Sequence, residues 1–168
     1  MSDANVRKIE VTACKVDSKL GLVIGYAIVC KVKNADGKFE PYYDSGTEDP
    51  SDGEVYSDHI TEKAMLEGVT EFMKSARIAT EMHERELDDD GEQVLDDEGR
   101  AIPVKKGVVV HSFPLTEDIA AALGIECQKT GWIVAMQPDA EMLKKFQDGT
   151  LKQFSIGGRV ARRVEASK

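Results

Sequence analysis

The sequence contains few cysteines, and those it has form no recognisable pattern. Cys14, Cys30 and Cys127 are widely spaced and odd in number, so they match neither a metal-binding spacing nor a disulfide framework. Cys14 and Cys30 lie in apolar, strand-like stretches, which is typical of buried free thiols. We therefore expect a protein of a reducing, cytosolic compartment.

Long apolar runs and a basic surface are also missing. No run approaches the length of a membrane span, and the first residues lack the apolar region of a secretory signal, so we expect no membrane association. The net charge of −9 argues against nucleic acid as the main partner. No cofactor motif is present. The 168 residues, 41% of them hydrophobic, predict a single soluble domain over 1–168.

The pattern of apolar residues predicts both strands and helices. Strands are predicted at 6–16, 20–33, 77–84, 106–113, 132–136, 151–156 and 159–165. Helices are predicted to start after Thr61, Thr116 and Asp139, each a good N-cap residue, and to end near Ser75, Gly124 and Gly149. Because strands and helices do not alternate regularly, a doubly wound sheet is excluded. The predicted fold class is α+β, with a mostly antiparallel core and about three helices.

An acidic stretch interrupts this pattern at about 86–105. Its two similar halves, Asp88–Glu92 and Asp96–Arg100, each have the aspartate and glycine typical of turns. We expect a solvated hairpin insertion on the surface. A calcium-binding loop is disfavoured, because Glu86 and Asp97 depart from the residues such a loop requires at its first and last positions.

The segments on either side of this insertion carry two histidines. If 77–84 and 106–113 are the arms of one hairpin, paired residues should have numbers that add up to about 190–194. This register would make His83 and His111 cross-strand neighbours, with Cβ atoms roughly 5 Å apart. A slip of one residue would place His111 on the other face. Glu81 shares the polar face of its strand with His83.

A serine followed by two glycines near the C-terminus is the second chemical signal. In Phe154-Ser155-Ile156-Gly157-Gly158-Arg159 the serine lies opposite the apolar side chains of a predicted strand. Glycines allow the backbone to approach a ligand closely. The pattern suits a nucleophile beside backbone N–H donors, and it equally suits a serine on an edge strand before a glycine bulge.

Three stretches together resemble a known protein family. They are Glu81-Met82-His83-Glu84-Arg85, Leu123-Gly124-Ile125 with Gly131-Trp132, and the segment from Gly149 to Gly158. They resemble phage serine proteases of the XkdF-like branch, which are similar to prohead (capsid maturation) proteases and, more remotely, to herpesvirus assemblin. The resemblance covers residues 20 to 164. It implies a β-barrel-like core wrapped by helices.

The resemblance also implies a catalytic site. Ser155 matches the serine nucleophile of the family and His83 its general base, while the backbone of Gly157, Gly158 and Arg159 would stabilise the oxyanion. The group that orients His83 is less well defined. The hairpin register and the second histidine of the herpesvirus enzymes favour His111. Its rival Glu165 would need the chain to fold back near the two glycines, because ten residues of straight strand span roughly 33 Å.

The function implied by the resemblance is that of a serine endopeptidase of phage head maturation. Its substrate would be scaffolding protein or a scaffold-like segment of the major capsid protein, cut inside the immature prohead in the host cytoplasm. The portal is a further candidate partner, and a homo-oligomer is an open alternative. Two other hypotheses stay open: a non-catalytic relative that binds scaffold or capsid protein, and an acidic module that binds host proteins.

Overall fold

The structure of the protein is a computed structural model that describes residues 15–43, 47–48, 55–56, 59–81 and 84–154. The chain in these ranges forms eight strands and three helices. The strands are β1 (Lys15–Asp17), β2 (Leu22–Lys33), β3 (Phe39–Pro41), β4 (Thr47–Glu48), β5 (Val55–Tyr56), β6 (Ile78–Ala79), β7 (Gly107–Leu115) and β8 (Lys129–Pro138). The helices are α1 (Glu62–Ser75), α2 (Glu117–Leu123) and α3 (Ala140–Gln147).

Six of these strands form one antiparallel sheet, which confirms the predicted α+β class. Its order is β1-β2-β8-β7-β6, with β3 also paired to β2, and β4 and β5 form a separate pair. The barrel-like closure predicted for the core is wrong for the described strands, because β1 and β6 do not pair with each other. Closure requires continuous pairing between the outermost strands, and these two are only three and two residues long.

The central strand β8 approaches β2 very closely at Gly131. Gly131 has a φ of 151°, and a Cβ atom at this position would lie 2.0 Å from the carbonyl oxygen of Ile28. The register between β2 and β8 shifts on both sides of this contact. A residue without a side chain is therefore required where the two longest strands meet.

The three helices begin at the residues predicted from the sequence. The side chains of Thr61, Thr116 and Asp139 each accept a hydrogen bond from a backbone N–H of the first helical turn, at 3.2, 3.1 and 2.8 Å. Helix α2 ends at Gly124, whose φ of 65° is typical of a left-handed cap. None of the helices in the described ranges is long and apolar enough to cross a membrane.

Helices α1 and α3 cover the same face of the sheet. Trp132 and Met136 lie an even number of residues apart on β8 and therefore point to one side. The Trp132 ring meets Phe72 of α1 edge to face, with ring centroids 5.2 Å apart, and Met136 packs in a buried cluster with Phe146 of α3. The main core thus lies between β8 and these two helices.

Two predicted strands are shorter or absent where the structure describes them. Strand β6 covers only Ile78–Ala79 of the predicted 77–84. Residues 151–154 are irregular, because the Leu151 N–H donates to the carbonyl oxygen of Lys145 (2.9 Å) and holds this segment against α3. The predicted strands at 6–14 and 155–165 lie outside the described residues.

The contact at Gly131 leads to a prediction about stability. Gly131→Ala should lower the free energy of unfolding by more than about 3 kcal/mol, because the new methyl group would overlap backbone atoms. Gly68→Ala is the matched control: it lies in α1 with open space around it and should raise stability by about 0.5–1 kcal/mol. Urea denaturation measures both, and an equal effect of the two substitutions would contradict the close approach.

The buried thiol of Cys30 leads to a second prediction. Its side chain is fully buried, and burial raises its pKa to about 11. In a Cys14→Ser/Cys127→Ser background, we expect Cys30 to react with a disulfide reagent at pH 8 roughly a hundredfold more slowly than in urea, because only the thiolate is nucleophilic. The rate should rise with pH until about pH 11. A rate equal to that of the unfolded chain would contradict the burial.

Candidate functional site

Most of the residues assigned to the catalytic site from the sequence lie outside the described residues. His83 follows Glu81 after a gap of one residue, and Ser155 directly follows Phe154, so the structure describes the chain that leads into both positions. The other site residues outside the described ranges are Gly157, Gly158, Arg159 and Glu165. The geometry near the candidate site is therefore given by the segments that precede His83 and Ser155, and by His111.

Helix α3 contacts the segment that precedes His83 through a lysine. The Lys145 ammonium group lies 2.6 and 2.8 Å from the two carboxylate oxygens of Glu81 and 3.1 Å from Glu141 one turn earlier on the helix. The Glu81 side chain is 15% exposed, so this contact is partly shielded from solvent. Lys145 was not identified from the sequence: its pair with Glu141 is visible there as helical spacing, but Glu81 is 64 residues away.

The same contacts decide the protonation of Lys145. Hydrogen bonds to Glu81 and then to Glu141 raise the pKa of Lys145 far above its usual value. A lysine that serves as a general base needs the opposite shift, towards neutral pH. Lys145 is therefore a fixed cation that holds Glu81, and it is not suited to activate a serine.

The next residue on α3, Phe146, packs against the segment that precedes Ser155. The rings of Phe146 and Phe154 meet edge to face, with centroids 5.9 Å apart. Phe154 and Ala79 both pack against the buried cluster formed by Val23, Met136, Met142 and Phe146. Consecutive residues of one helix thus hold the segment that leads to His83 and the segment that leads to Ser155 at the same end of the core.

His111 lies on the opposite side of the sheet. It pairs with Ala135 of β8, which points away from α1 and α3, and its side chain is exposed. Phe154 packs on the helix-covered side, against both buried clusters. His111 and Phe154, the residue before Ser155, thus lie on opposite faces of the sheet.

The predicted register of the hairpin that contains β6 and β7 is wrong at the described pairs. It would place Ile78 opposite a residue between Ser112 and Thr116, whereas Ile78 pairs with Val108. Arg85 pairs with Pro103 nearer the tip. The hairpin is centred on Val94 because its tip contains two equal turns, and not one turn at 95–97. His111 accordingly lies beyond the end of the β6–β7 pairing and contacts β8.

The third histidine, His59, has a structural contact. Its Nδ1 donates to the carbonyl oxygen of Tyr42 (2.8 Å), and its ring lies 5.3 Å from that of Tyr43. This contact ties the residues before α1 to the end of β3. In the described part of the chain no group of histidine, cysteine, aspartate or glutamate side chains could hold a metal ion.

Comparison with known proteins adds no relative. No protein-family profile matches this chain, and no curated protein or solved structure matches it either. A function for this chain therefore has to be inferred from its own residues and their contacts.

The lysine between the two glutamates leads to a prediction. Lys145→Met should lower the urea midpoint several times more than Lys74→Met, because it leaves the shielded Glu81 carboxylate without a cation. The ion pair of Lys74 with Glu71 is exposed at the surface of α1 and should contribute little. The double variant Glu81→Gln/Lys145→Met should lose less stability than the sum of the two single losses. Strict additivity would mean that the two side chains do not interact.

Proposed function

We propose that the protein is a serine endopeptidase of phage head maturation, with Ser155 as nucleophile and His83 as general base. The observation that carries the proposal is that the segments preceding His83 and Ser155 both contact helix α3. Lys145 binds Glu81 at 2.6 Å and Phe146 packs on Phe154, so the two approaches to the proposed dyad are fixed by neighbouring residues. A serine and its base must come within hydrogen-bond reach, and convergence of this kind is what such a pair requires.

The proposed chemistry is that of acyl transfer. The Ser155 hydroxyl attacks the scissile carbonyl carbon while His83 takes its proton, and the resulting oxyanion is stabilised by backbone N–H groups at Gly157–Arg159. His83 then gives the proton to the leaving amine, which leaves an acyl-enzyme. Water, deprotonated by His83, hydrolyses the ester and regenerates the serine.

Two residues are candidates for the group that orients His83. His111 faces the side of the sheet away from α3, which argues against it, whereas Glu165 lies outside the described residues and would need the chain to fold back near the two glycines. Glu81 lies two residues before His83, but Lys145 already occupies both of its carboxylate oxygens. His111 and Glu165 both stay candidates, and substitution of each residue separately distinguishes them.

The proposed substrate is the scaffolding protein or a scaffold-like segment of the major capsid protein, cut inside the immature prohead. This assignment rests on the resemblance of the His83 and Ser155 segments to the prohead proteases. The portal and a second copy of the chain are further proposed partners. The rival proposal is a non-catalytic relative that binds scaffold. It is favoured by one observation: Lys145 binds both carboxylate oxygens of Glu81, the acid that shares the predicted strand face of His83.

The serine and the histidine give the decisive prediction. In cells that co-express scaffold and capsid protein, Ser155→Ala and His83→Ala should each slow cleavage by roughly a thousandfold or more, because removal of either member of such a dyad abolishes nucleophile activation. Mass spectrometry of the scaffold measures the products.

Ser75→Ala and His59→Ala are the matched controls, since Ser75 is hydrogen-bonded within α1 and His59 to the Tyr42 carbonyl oxygen. They should leave cleavage unchanged. Circular dichroism verifies that all four variants fold. Normal processing by folded Ser155→Ala would exclude the protease proposal, and an absence of cleavage by the wild-type protein would favour the scaffold-binding relative.

A further inference from the structure

The acidic insertion is an ordered element built from an eight-residue repeat. We call residues 84–105 the acidic arm. Within it, Glu86, Val94 and Ile102 are spaced by eight residues and join in a closed ring of backbone hydrogen bonds. The N–H of each donates to the carbonyl oxygen of another, at 2.8 to 2.9 Å. Such a ring fixes three passes of the chain relative to one another.

Each repeat also closes its own turn. The Asp88 carboxylate accepts hydrogen bonds from the backbone N–H groups of Asp90 and Glu92 at 3.0 and 2.9 Å. Asp96 does the same in the second repeat, for Glu98 and Arg100, at 3.0 and 2.8 Å. Because each turn satisfies its own backbone groups, the arm can hold its shape without packing on the core.

The arm is thus held together by its own hydrogen bonds, yet it leaves both of its leucines in solvent. Leu87 and Leu95 occupy equivalent positions of the two repeats and are 60% and 55% exposed. Neither belongs to a buried cluster of the described core. Exposed leucines at the same position of both repeats contribute little to folding and are available to a partner.

The charge around these leucines defines the partner. The arm contains nine acidic and three basic residues, a net charge of −6 within a total of −9 for the chain. Arg100 is already paired with Asp96 and Glu98. Asp89 and Asp97, by contrast, take no part in the hydrogen bonds that close the turns and stay exposed.

We propose that the acidic arm is a docking surface for a partner segment that carries apolar side chains between lysines or arginines. The apolar side chains cover Leu87 and Leu95, and the basic ones meet the surrounding carboxylates. The acidic groups alone would attract any cation; the leucines are what makes the surface selective for an amphipathic basic segment. This inference goes beyond the proposed protease function and does not require catalysis.

The test uses a short fluorescent peptide in which lysines alternate with leucines, and a second peptide in which serines replace those leucines. Fluorescence anisotropy with the full chain measures both. We expect the lysine–leucine peptide to bind at least about tenfold more tightly. Leu87→Ser/Leu95→Ser should remove that advantage. Leu123→Ser, which changes an equally exposed leucine of α2 (61%) outside the arm, should leave it intact.

Charge is tested with a second variant. Asp89→Asn/Asp97→Asn should weaken binding of the lysine–leucine peptide and reduce its dependence on salt, because exposed charges act through a screened attraction. Equal binding of the two peptides by the wild-type protein would overturn the proposal, since only general charge attraction would then remain. Unchanged binding by folded Leu87→Ser/Leu95→Ser would overturn it as well.

Discussion

The fold depends on strand β8, which lies between the two other long strands, β2 and β7. Its alternating side chains serve both halves of the core: Trp132 packs with α1 and Met136 packs with α3. This position is open to β8 only because Gly131 lets the backbone of β2 come within van der Waals distance. If β8 were displaced, helices α1 and α3 would lose the surface on which they pack. The segments that precede His83 and Ser155 would then lose their contacts with α3.

Helix α3 connects that core to the candidate site through two different kinds of contact. Phe146 is 7% exposed, and burial of its ring contributes on the order of 2 kcal/mol, so it anchors the helix and the segment ending at Phe154. The contact between Lys145 and Glu81 lies closer to solvent and contributes less to stability. This ion pair is directional, however, and it fixes the position of Glu81, two residues before His83. The apolar contact holds the end of the core together, and the ion pair sets its geometry.

The sequence was informative about local structure and much less so about long-range pairing. The three helix starts could be predicted because Thr61, Thr116 and Asp139 accept hydrogen bonds from backbone N–H groups of the first helical turn, which is a local interaction. The register of the hairpin could not, since it depends on the internal fold of the acidic arm. Barrel closure was wrong for a related reason: the lengths of β1 and β6 are not encoded by alternation alone. The pair of Lys145 with Glu81 joins elements 64 residues apart, and neither residue has a local pattern that indicates the other.

The acidic arm and the candidate site are linked through α3. The arm begins at Glu84, beyond the short strand β6, and ends just before Lys106, whose carbonyl oxygen accepts a hydrogen bond from the Asp139 N–H at the start of α3 (2.7 Å). The Lys106 ammonium group also lies 3.9 Å from Glu141, the second carboxylate that binds Lys145. One helix therefore fixes the base of the arm, the approach to His83 and the approach to Ser155. A segment bound to Leu87 and Leu95 would therefore be attached to an element whose base contacts the same helix as Glu81 and Phe154.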